Sequence, residues 1–533
     1  MSSFPDQLHA LLYPRAYPHA VRAVDLIETH ISWVLLAGKF AYKVKRPVHY
    51  PFIDLRAPEQ RRLLCHEEVR LNRRFAPELY LGVRAIRRRR NEARIGGSGR
   101  IVEHAVRMRQ FPRSQELDAL LGARRIEPAE LEAFGGELAG IHARLPVAQA
   151  AQEWGRGAAQ IAGIRRNAAE CVRAAEALGG AAPLSALQRR LETWSDTALP
   201  LLERRFAAGR VRECHGDLHA GNIVRLGAGL RPFDCLEFDP ALRWIDVADE
   251  ISFLLADLEA RQRPLHAQAF LGGYLSISGD YEACLLLPVF RAHRALVRAK
   301  VMALAATAAG AARAAASEAR RWHERYVECA QRALSPPPPR LVLMSGLSGS
   351  GKTWLAQRLA PMLGAVHLRS DIERKRLVGL APRARTASAL AEGLYGREMT
   401  AAVYERLIEC AADALAGGYT TIVDATFGVP AQRARCRALA AQLGLRICIV
   451  NCHAPERVLE RRIVARSRRA DDPSEADLEV LHWQEAHFTP PAPHEADAVL
   501  DAARLSVAEL AREISGGSRA RPGLRGGAAC GVR

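Results

Sequence analysis

The sequence is almost without lysine. Of its 533 residues only 6 are lysine, against 70 arginines, so arginine carries nearly every positive charge. Arginine is a poor substitute for the compact ammonium group of lysine at phosphate sites, and the remaining lysines are therefore informative. Three of them lie at positions 39, 43 and 45, and a fourth, Lys352, lies in a glycine-rich segment.

Other absences exclude whole classes of protein. No stretch reaches the roughly 18 uninterrupted apolar residues of a membrane helix, and the first residues lack the basic start and apolar run of a signal peptide. The 11 cysteines are scattered without a CxxC pair, which argues against a disulfide framework and against a structural zinc site. We therefore expect a cytoplasmic protein with no membrane partner.

The positive charge is in excess, with a formal net charge of +18. Such an excess could serve a nucleic acid, but the arginines are spread along the chain, and the densest run, Arg87 to Arg90, has the pattern of a solvated hairpin arm. Aromatic residues, on which single-stranded nucleic acids stack, make up only 6%. We expect small-molecule substrates and regard nucleic acid as an unlikely partner. The oligomeric state stays unknown from sequence.

A proline-rich segment divides the chain. SPPPPR, residues 335–340, ends a long helical pattern and precedes an apolar run. The predicted organisation is a first domain at 1–334, a linker at 335–340, a second domain at 341–515 and a disordered basic tail at 516–533.

The two predicted domains differ in their hydrophobic periodicity. Short alternating segments fill the first hundred residues and amphipathic helices follow from about 115 to 333, which predicts an α+β domain with a small β lobe and a larger helical lobe. In the second domain, apolar runs at 341–345, 366–369, 420–424, 446–452 and 497–501 alternate with helical stretches. This rhythm predicts an α/β domain with a parallel sheet.

The segment that begins at Gly346 matches the P-loop pattern G-x-x-x-x-G-K-[ST] in full, between an apolar strand and a helix. The glycines let backbone N–H groups point at phosphate oxygens, while Lys352 contacts the β- and γ-phosphates and Thr353 holds Mg²⁺. We therefore predict ATP and Mg²⁺ as cofactors. The predicted nucleotide-binding residues are Gly346, Gly349, Ser350, Gly351, Lys352 and Thr353.

Two acidic residues follow later strands, where open α/β sheets place their ligands. By order along the chain, Asp371 is the better candidate to accept a proton from a substrate hydroxyl, and Asp424 the better candidate to bind Mg²⁺. Either could instead cap a helix. Arg462 and Arg466 lie four residues apart on one helix face, as in a mobile lid that brings arginines onto the transferring phosphate. A solvated basic helix face is the alternative.

A second phosphotransfer motif lies in the first domain. In HGDLHAGN, Asp217 precedes Asn222 by five residues, the spacing of H-R-D-x-x-x-x-N in protein kinases, and Asp234 follows. Asp217 would then face the acceptor hydroxyl, and Asn222 and Asp234 would bind Mg²⁺.

That kinase fold also calls for one Lys–Glu ion pair that orients the nucleotide phosphates. Lys43 and Lys45 lie on one face of an apparent strand, and Glu67 and Glu68 lie in a helix. We favour Lys43 with Glu68, and Lys45 or Glu67 could serve instead.

These motifs resemble known kinases. HLRSD, VDAT and RRIVAR resemble the small-molecule P-loop kinases related to gluconate kinase, zeta toxins and the kinase part of polynucleotide kinases. The Gly of HGD and the segment RWIDVADEISFL resemble the aminoglycoside phosphotransferase branch of the kinase fold, which implies that Asp246 and Asp249 brace the catalytic loop. No strict G-x-G-x-x-G motif precedes Lys43.

The order of the two domains resembles bacterial proteins described as bifunctional aminoglycoside phosphotransferase/ATP-binding proteins. The resemblance implies an ATP-dependent kinase with two nucleotide sites that acts on hydroxyl groups of small metabolites. The many arginines at 100–214 fit a neutral or anionic acceptor better than a polycationic aminoglycoside. Two other readings stay open: a regulatory protein in which one nucleotide domain senses ATP and gates the other, and a nucleic-acid end-healing kinase.

Overall fold

The computed structural model describes residues 4–50, 53–89, 92–180, 182–308, 312–382, 384, 396–469, 474 and 476–516. All but the first residue of the predicted basic tail lies outside these ranges. Contacts divide the chain into two units, of which the first comprises Met1–Tyr274 and Leu286–Ser335 and the second Leu275–Leu285 and Pro336–Arg533. The predicted boundaries had placed Leu275–Leu285 in the first domain.

The first unit begins with a six-stranded antiparallel sheet in the order β1-β2-β3-β8-β6-β7. Trp33, Leu35 and Tyr42 are buried on one face of it, and Cys65 and Val69 of the first helix pack on the other. The elements of this lobe are β1 (Val24–Glu28), β2 (Ser32–Ala37), β3 (Phe40–Lys45), β4 (His49–Tyr50), β5 (Ile53–Asp54), α1 (Pro58–Asn72), β6 (Tyr80–Arg89), β7 (Glu92–Ile95) and β8 (Arg100–Arg109).

The rest of the first unit is mainly helical. Its helices are α2 (Leu117–Gly122), α3 (Pro128–Arg144), α4 (Gly157–Glu176), α5 (Ala182–Ala207), α6 (Val247–Ala260), α7 (Pro264–Ser278), which continues into the second unit, α8 (Leu287–Thr307) and α9 (Arg313–Leu334). Four short strands, β9 (Val211–Glu213), β10 (Ile223–Leu226), β11 (Gly229–Pro232) and β12 (Trp244–Asp246), form two antiparallel pairs. Helix α6 is buried at 13 of its 14 residues, so each of its acidic side chains needs a partner inside the unit.

The second unit contains a five-stranded parallel sheet in the order β14-β15-β13-β16-β17, which confirms the parallel sheet predicted from the sequence. Its strands are β13 (Arg340–Ser345), β14 (Val366–Arg369), β15 (Thr421–Asp424), β16 (Arg446–Asn451) and β17 (Ala498–Asp501). Its helices are α10 (Lys352–Leu363), α11 (Ser370–Leu377), α12 (Arg397–Ala416), α13 (Pro430–Gln442), α14 (Glu456–Arg469), α15 (Leu478–His487) and α16 (Val507–Ser515). Among the described residues, no helix combines the length and apolarity needed to cross a membrane.

Candidate active sites

The loop between β9 and β10 brings Asp217 and Asn222 together. The Asn222 Nδ2 group donates to Asp217 Oδ2 at 2.9 Å and to the Asp217 carbonyl oxygen at 3.0 Å. Burial acts to raise the pKa of Asp217, but His219 together with Arg298 and His215 outweighs it, so the pKa lies below its ordinary value. Asp217 is therefore a carboxylate at neutral pH, available to accept a hydrogen bond.

The HGD motif requires glycine at its second position for a steric reason. Gly216 has φ +87, and a Cβ there would lie 2.8 Å from the carbonyl oxygen of Leu242. A side chain would force the backbone away and displace Asp217.

Two acidic residues of α6 accept hydrogen bonds from the backbone of this loop. Glu250 accepts the backbone N–H groups of His215, at 2.8 Å, and Gly216, at 3.0 Å. Asp257 accepts the N–H of Ala220 at 2.8 Å. Burial raises the pKa of Glu250 to about 7.

The resemblance had assigned this bracing role to Asp246 and Asp249, and the structure corrects that interpretation. Asp246 pairs with Arg205 at 2.8 Å, and Asp249 pairs with Arg294 at 2.7 Å. Both carboxylates point to arginines of α5 and α8, so the loop takes its support from the next acids along α6.

The two lysines of β3 share one glutamate. Lys43 Nζ lies 2.9 Å from Glu68 Oε1, and Lys45 Nζ lies 2.5 Å from Glu68 Oε2. Lys43 also pairs with Asp234, and Lys45 with Glu237. Burial acts to lower the pKa of both lysines, but the facing carboxylates raise it.

Of the two candidate glutamates, the structure places Glu68 against the lysines. Glu67 instead contacts Arg70 at 2.7 Å and Arg243 at 3.0 Å. The ion pair whose members the sequence left open therefore consists of the Glu68 carboxylate and the ammonium groups of both lysines.

Asp234 lies at the mouth of the same site. Its backbone is left-handed, with φ +66, and its N–H donates to the Tyr80 hydroxyl at 2.9 Å. Burial acts to raise the pKa of Asp234, but the ammonium groups of Lys43 and Lys45 together outweigh it and lower the pKa. Lys43, Asp217 and Asp234 all line one cavity of about 580 Å³, whose apolar walls include Val34, Leu36, Met108 and Phe111.

In the second unit, the P-loop glycines are required by the backbone. Gly346, Gly349 and Gly351 have φ of +146, +80 and +96. A Cβ on Gly346 would lie 2.1 Å from the Cys452 carbonyl oxygen, so any other residue there would collide with the chain that follows β16. Ser350 is buried between the last two glycines.

Thr353, at the start of α10, donates its hydroxyl to Asp424 Oδ2 at 2.7 Å. His367 Nε2 lies 3.3 Å from the same oxygen. Burial acts to raise the pKa of Asp424, but His367 together with the positive charges of Lys352 and Arg369 outweighs it and lowers the pKa. The hydroxyl and the carboxylate together offer hard oxygen atoms, the ligand type that Mg²⁺ prefers.

Lys352 donates to the carbonyl oxygen of Leu347 at 2.8 Å, within its own loop. Burial lowers the pKa of Lys352. Asp371, in the first turn of α11, lines the same cavity of about 290 Å³ as Lys352, Thr353 and Asp424.

The two arginines of α14 reach this cavity. Arg462 donates to the Gly349 carbonyl oxygen at 3.1 Å, and Arg466 donates to the Ala476 carbonyl oxygen at 2.7 Å. Of the residues that sequence selected, this cavity brings together four of the P-loop, both acids and both arginines, whereas Gly346 and Ser350 are not part of its lining.

Sequence reasoning missed several residues that border this cavity. Gln484 of α15 accepts the backbone N–H of Ser348, inside the P-loop, at 2.9 Å. Trp354 and Trp483 also line the cavity, and both are about half exposed. The tryptophan that follows Lys352-Thr353 was a readable signal, whereas Gln484 lies 136 residues from its partner and has no local signature.

Comparison with known proteins identifies the second unit more closely than the first. The family model described as AAA domain matches residues 341–491. The P-loop part of the predicted resemblance is confirmed at this level, since the matched range contains the whole loop and both acids.

Among solved structures, the APS kinase CysC of Mycobacterium tuberculosis is 23% identical, covers 34% of this chain and 97% of its own, and has a TM-score of 0.24. A choline/ethanolamine kinase family protein from Mesorhizobium loti is 11% identical, covers 58% of this chain and 92% of its own, and has a TM-score of 0.33.

Among curated proteins, the uncharacterized protein Rv2004c of Mycobacterium tuberculosis is 32% identical over 444 residues, which span 83% of this chain and 86% of that protein. The similarity therefore extends over most of both sequences and is not confined to the P-loop domain. On this identity and coverage, the chain belongs to the same family as Rv2004c.

Proposed function

We propose that the second unit is an ATP-dependent phosphotransferase that acts on a hydroxyl group of a small metabolite. The observation that carries the proposal is the hydrogen bond of 2.7 Å between Thr353 and Asp424, at the mouth of a P-loop whose cavity also contains Asp371. A hydroxyl and a carboxylate beside a P-loop lysine fit a nucleotide with its metal. An additional carboxylate in the same cavity fits an acceptor hydroxyl.

Each residue has a definite task under this proposal. Mg²⁺, when bound, neutralises charge on the transferring phosphate, and Thr353 and Asp424 would hold it. Lys352 and the loop N–H groups orient the phosphates. Asp371 accepts the proton of the acceptor hydroxyl, and Arg462 and Arg466 offset negative charge from α14.

We propose a second phosphotransfer site in the first unit. Asp217 lies at hydrogen-bond distance from Asn222, and Lys43 lies between Glu68 and Asp234. In the proposed reaction Asp217 positions the acceptor hydroxyl, Lys43 contacts the nucleotide phosphates, and Asn222 and Asp234 hold Mg²⁺. The apolar walls of the cavity fit a nucleobase.

The experiment is to measure ADP release by the full chain with Mg²⁺-ATP against a library of neutral and anionic hydroxylated metabolites. Lys352→Ala should remove the turnover of one group of acceptors, and Asp217→Asn that of another. If neither variant loses turnover of any acceptor, both proposed sites are contradicted. Tight ATP binding without transfer to any acceptor would favour the regulatory reading, and transfer to oligonucleotide ends alone would favour the end-healing reading.

A further inference from the structure

Two tryptophans line the P-loop cavity, each with one covered face. Trp354 is 56% exposed and Trp483 is 51% exposed, which is unusual for the largest apolar side chain. The Arg358 guanidinium lies 3.8 Å from the ring centroid of Trp354. The His487 ring stacks on Trp483 with centroids 4.6 Å apart.

The covered face of Trp354 is fixed by its own helix. Arg358 lies one turn further along α10 and donates to the Trp354 carbonyl oxygen at 3.1 Å, which holds its guanidinium on the ring. A cation on one face of an indole orients the ring and leaves the opposite face for a ligand. An aromatic ring held in this way is already placed for stacking, so little side-chain freedom is lost when a ligand binds.

The position of Trp354 in the chain relates it to the donor nucleotide. The loop N–H groups and Lys352 bind the phosphates, and Thr353 contacts Asp424. Trp354 is the next residue and lines the same cavity, so its ring is within that cavity for a nucleoside that extends from the phosphates.

Trp483 belongs to the other end of the loop. Its neighbour Gln484 accepts the Ser348 N–H at 2.9 Å. The cavity wall beside it includes Phe488, which packs against Gly428, four residues after Asp424. These contacts join the Trp483 side of the cavity to Ser348 and to the residues that follow Asp424.

We propose that the Trp354 ring, backed by Arg358, is the stacking platform for the purine base of the nucleoside triphosphate bound at the P-loop. The inference rests on the proposed nucleotide binding at this loop. A ring recognises the face of a base and not its hydrogen-bonding edge, so adenine and guanine nucleotides bind with similar affinity. Inorganic tripolyphosphate has no base and gains nothing from the ring.

The test is calorimetric titration of the full chain with Mg²⁺-ATP, Mg²⁺-GTP and inorganic tripolyphosphate. The part of the nucleotide binding that is lost in Lys352→Ala is the P-loop component of the binding. Trp354→Ala should weaken ATP and GTP binding in that component by roughly tenfold to a hundredfold, with tripolyphosphate affinity unchanged. Trp354→Phe should retain most of the affinity because it keeps an aromatic face, and Trp483→Ala, the matched control on the other wall, should retain all of it.

Three results would overturn the inference. Equal losses for ATP and tripolyphosphate in Trp354→Ala would show that the ring supports the loop and not a base. A loss in Trp483→Ala with none in Trp354→Ala would place the base on the other wall. ATP binding that is unaffected by Lys352→Ala would contradict the proposed function of the loop itself, which separates that failure from a failure of the platform alone.

Discussion

Glu68 binds Lys43 through one carboxylate oxygen, at 2.9 Å, while its second oxygen is occupied by another lysine. That lysine, Lys45, has a fully buried side chain and also pairs with Glu237, whereas Lys43 faces the half-exposed Asp234. The pair of lysines therefore divides into an inner member that balances buried charge and an outer member at the cavity.

We predict that Lys45→Met mainly lowers the stability of the protein, whereas Lys43→Met mainly lowers its affinity for Mg²⁺-ATP. Lys45→Met leaves Glu68 and Glu237 buried without their shared cation and should lower the free energy of unfolding by about 3–5 kcal/mol. Lys43→Met leaves Glu68 paired with Lys45, so it should cost less stability and should lower the affinity of the first unit for Mg²⁺-ATP. Urea unfolding and calorimetry on both variants measure the two effects. Equal losses of stability would contradict the division.

We predict that Asp217→Asn and Asp234→Asn separate transfer from binding. Asp217→Asn should retain Mg²⁺-ATP binding and lose transfer, because it removes the carboxylate that faces the acceptor. Asp234→Asn should weaken Mg²⁺-ATP binding itself, because it removes a proposed metal ligand. Calorimetry with Mg²⁺-ATP distinguishes the two variants. If both bind nucleotide like the unmodified chain and no acceptor is phosphorylated, the sensor reading of the first unit is correct.

The sequence was sufficient where the signal is local. The three inner strands of the second unit, β13, β15 and β16, appear as continuous apolar runs because parallel strands inside a sheet are buried on both faces. The P-loop could also be predicted from the sequence, because its glycines and Lys352 lie in one short segment and act on one ligand.

Other features depend on contacts between distant residues and could not be read from a pattern. Glu250 binds backbone groups 34 and 35 residues away, so nothing next to it in sequence marks it as the support of the HGD loop. The inclusion of Leu275–Leu285 in the second unit depends on contacts such as that of Tyr281 with Glu373, at 3.5 Å.

We predict that Lys352→Ala removes turnover by the second unit and leaves its folding unchanged. Lys352 donates to the Leu347 carbonyl oxygen and makes no ion pair among the described residues, so its loss should cost no more than about 1 kcal/mol of stability. Lys352→Arg is the matched control that retains the charge. It should also be inactive, because the guanidinium group does not replace a point charge at the phosphates. ADP release and thermal unfolding of the three proteins measure this, and full activity of Lys352→Arg would contradict the proposed phosphate contact.

The last prediction concerns the pH dependence of stability that Glu250 confers. Burial raises the pKa of Glu250 from 4.5 to about 7. Between those two values the unfolded chain ionises at this position while the folded chain keeps its proton, so the folded state loses stability as pH rises. We therefore expect the free energy of unfolding of the unmodified chain, minus that of Glu250→Gln, to fall by about 3 kcal/mol between pH 4 and pH 8.

Urea unfolding of both proteins across this range measures the difference, in which groups common to both chains cancel. Glu250→Gln also loses the carboxylate oxygen that accepts the Gly216 N–H. If losing this hydrogen bond costs more free energy than removing the buried charge gains, the variant is less stable than the unmodified chain at both ends of the pH range. The direction of the pH dependence does not rest on that balance, because glutamine does not titrate. A difference that rises with pH would mean that the two backbone N–H groups stabilise the carboxylate more than burial destabilises it. In that case the loop is held by a charged Glu250 throughout the neutral range, and acid would release it.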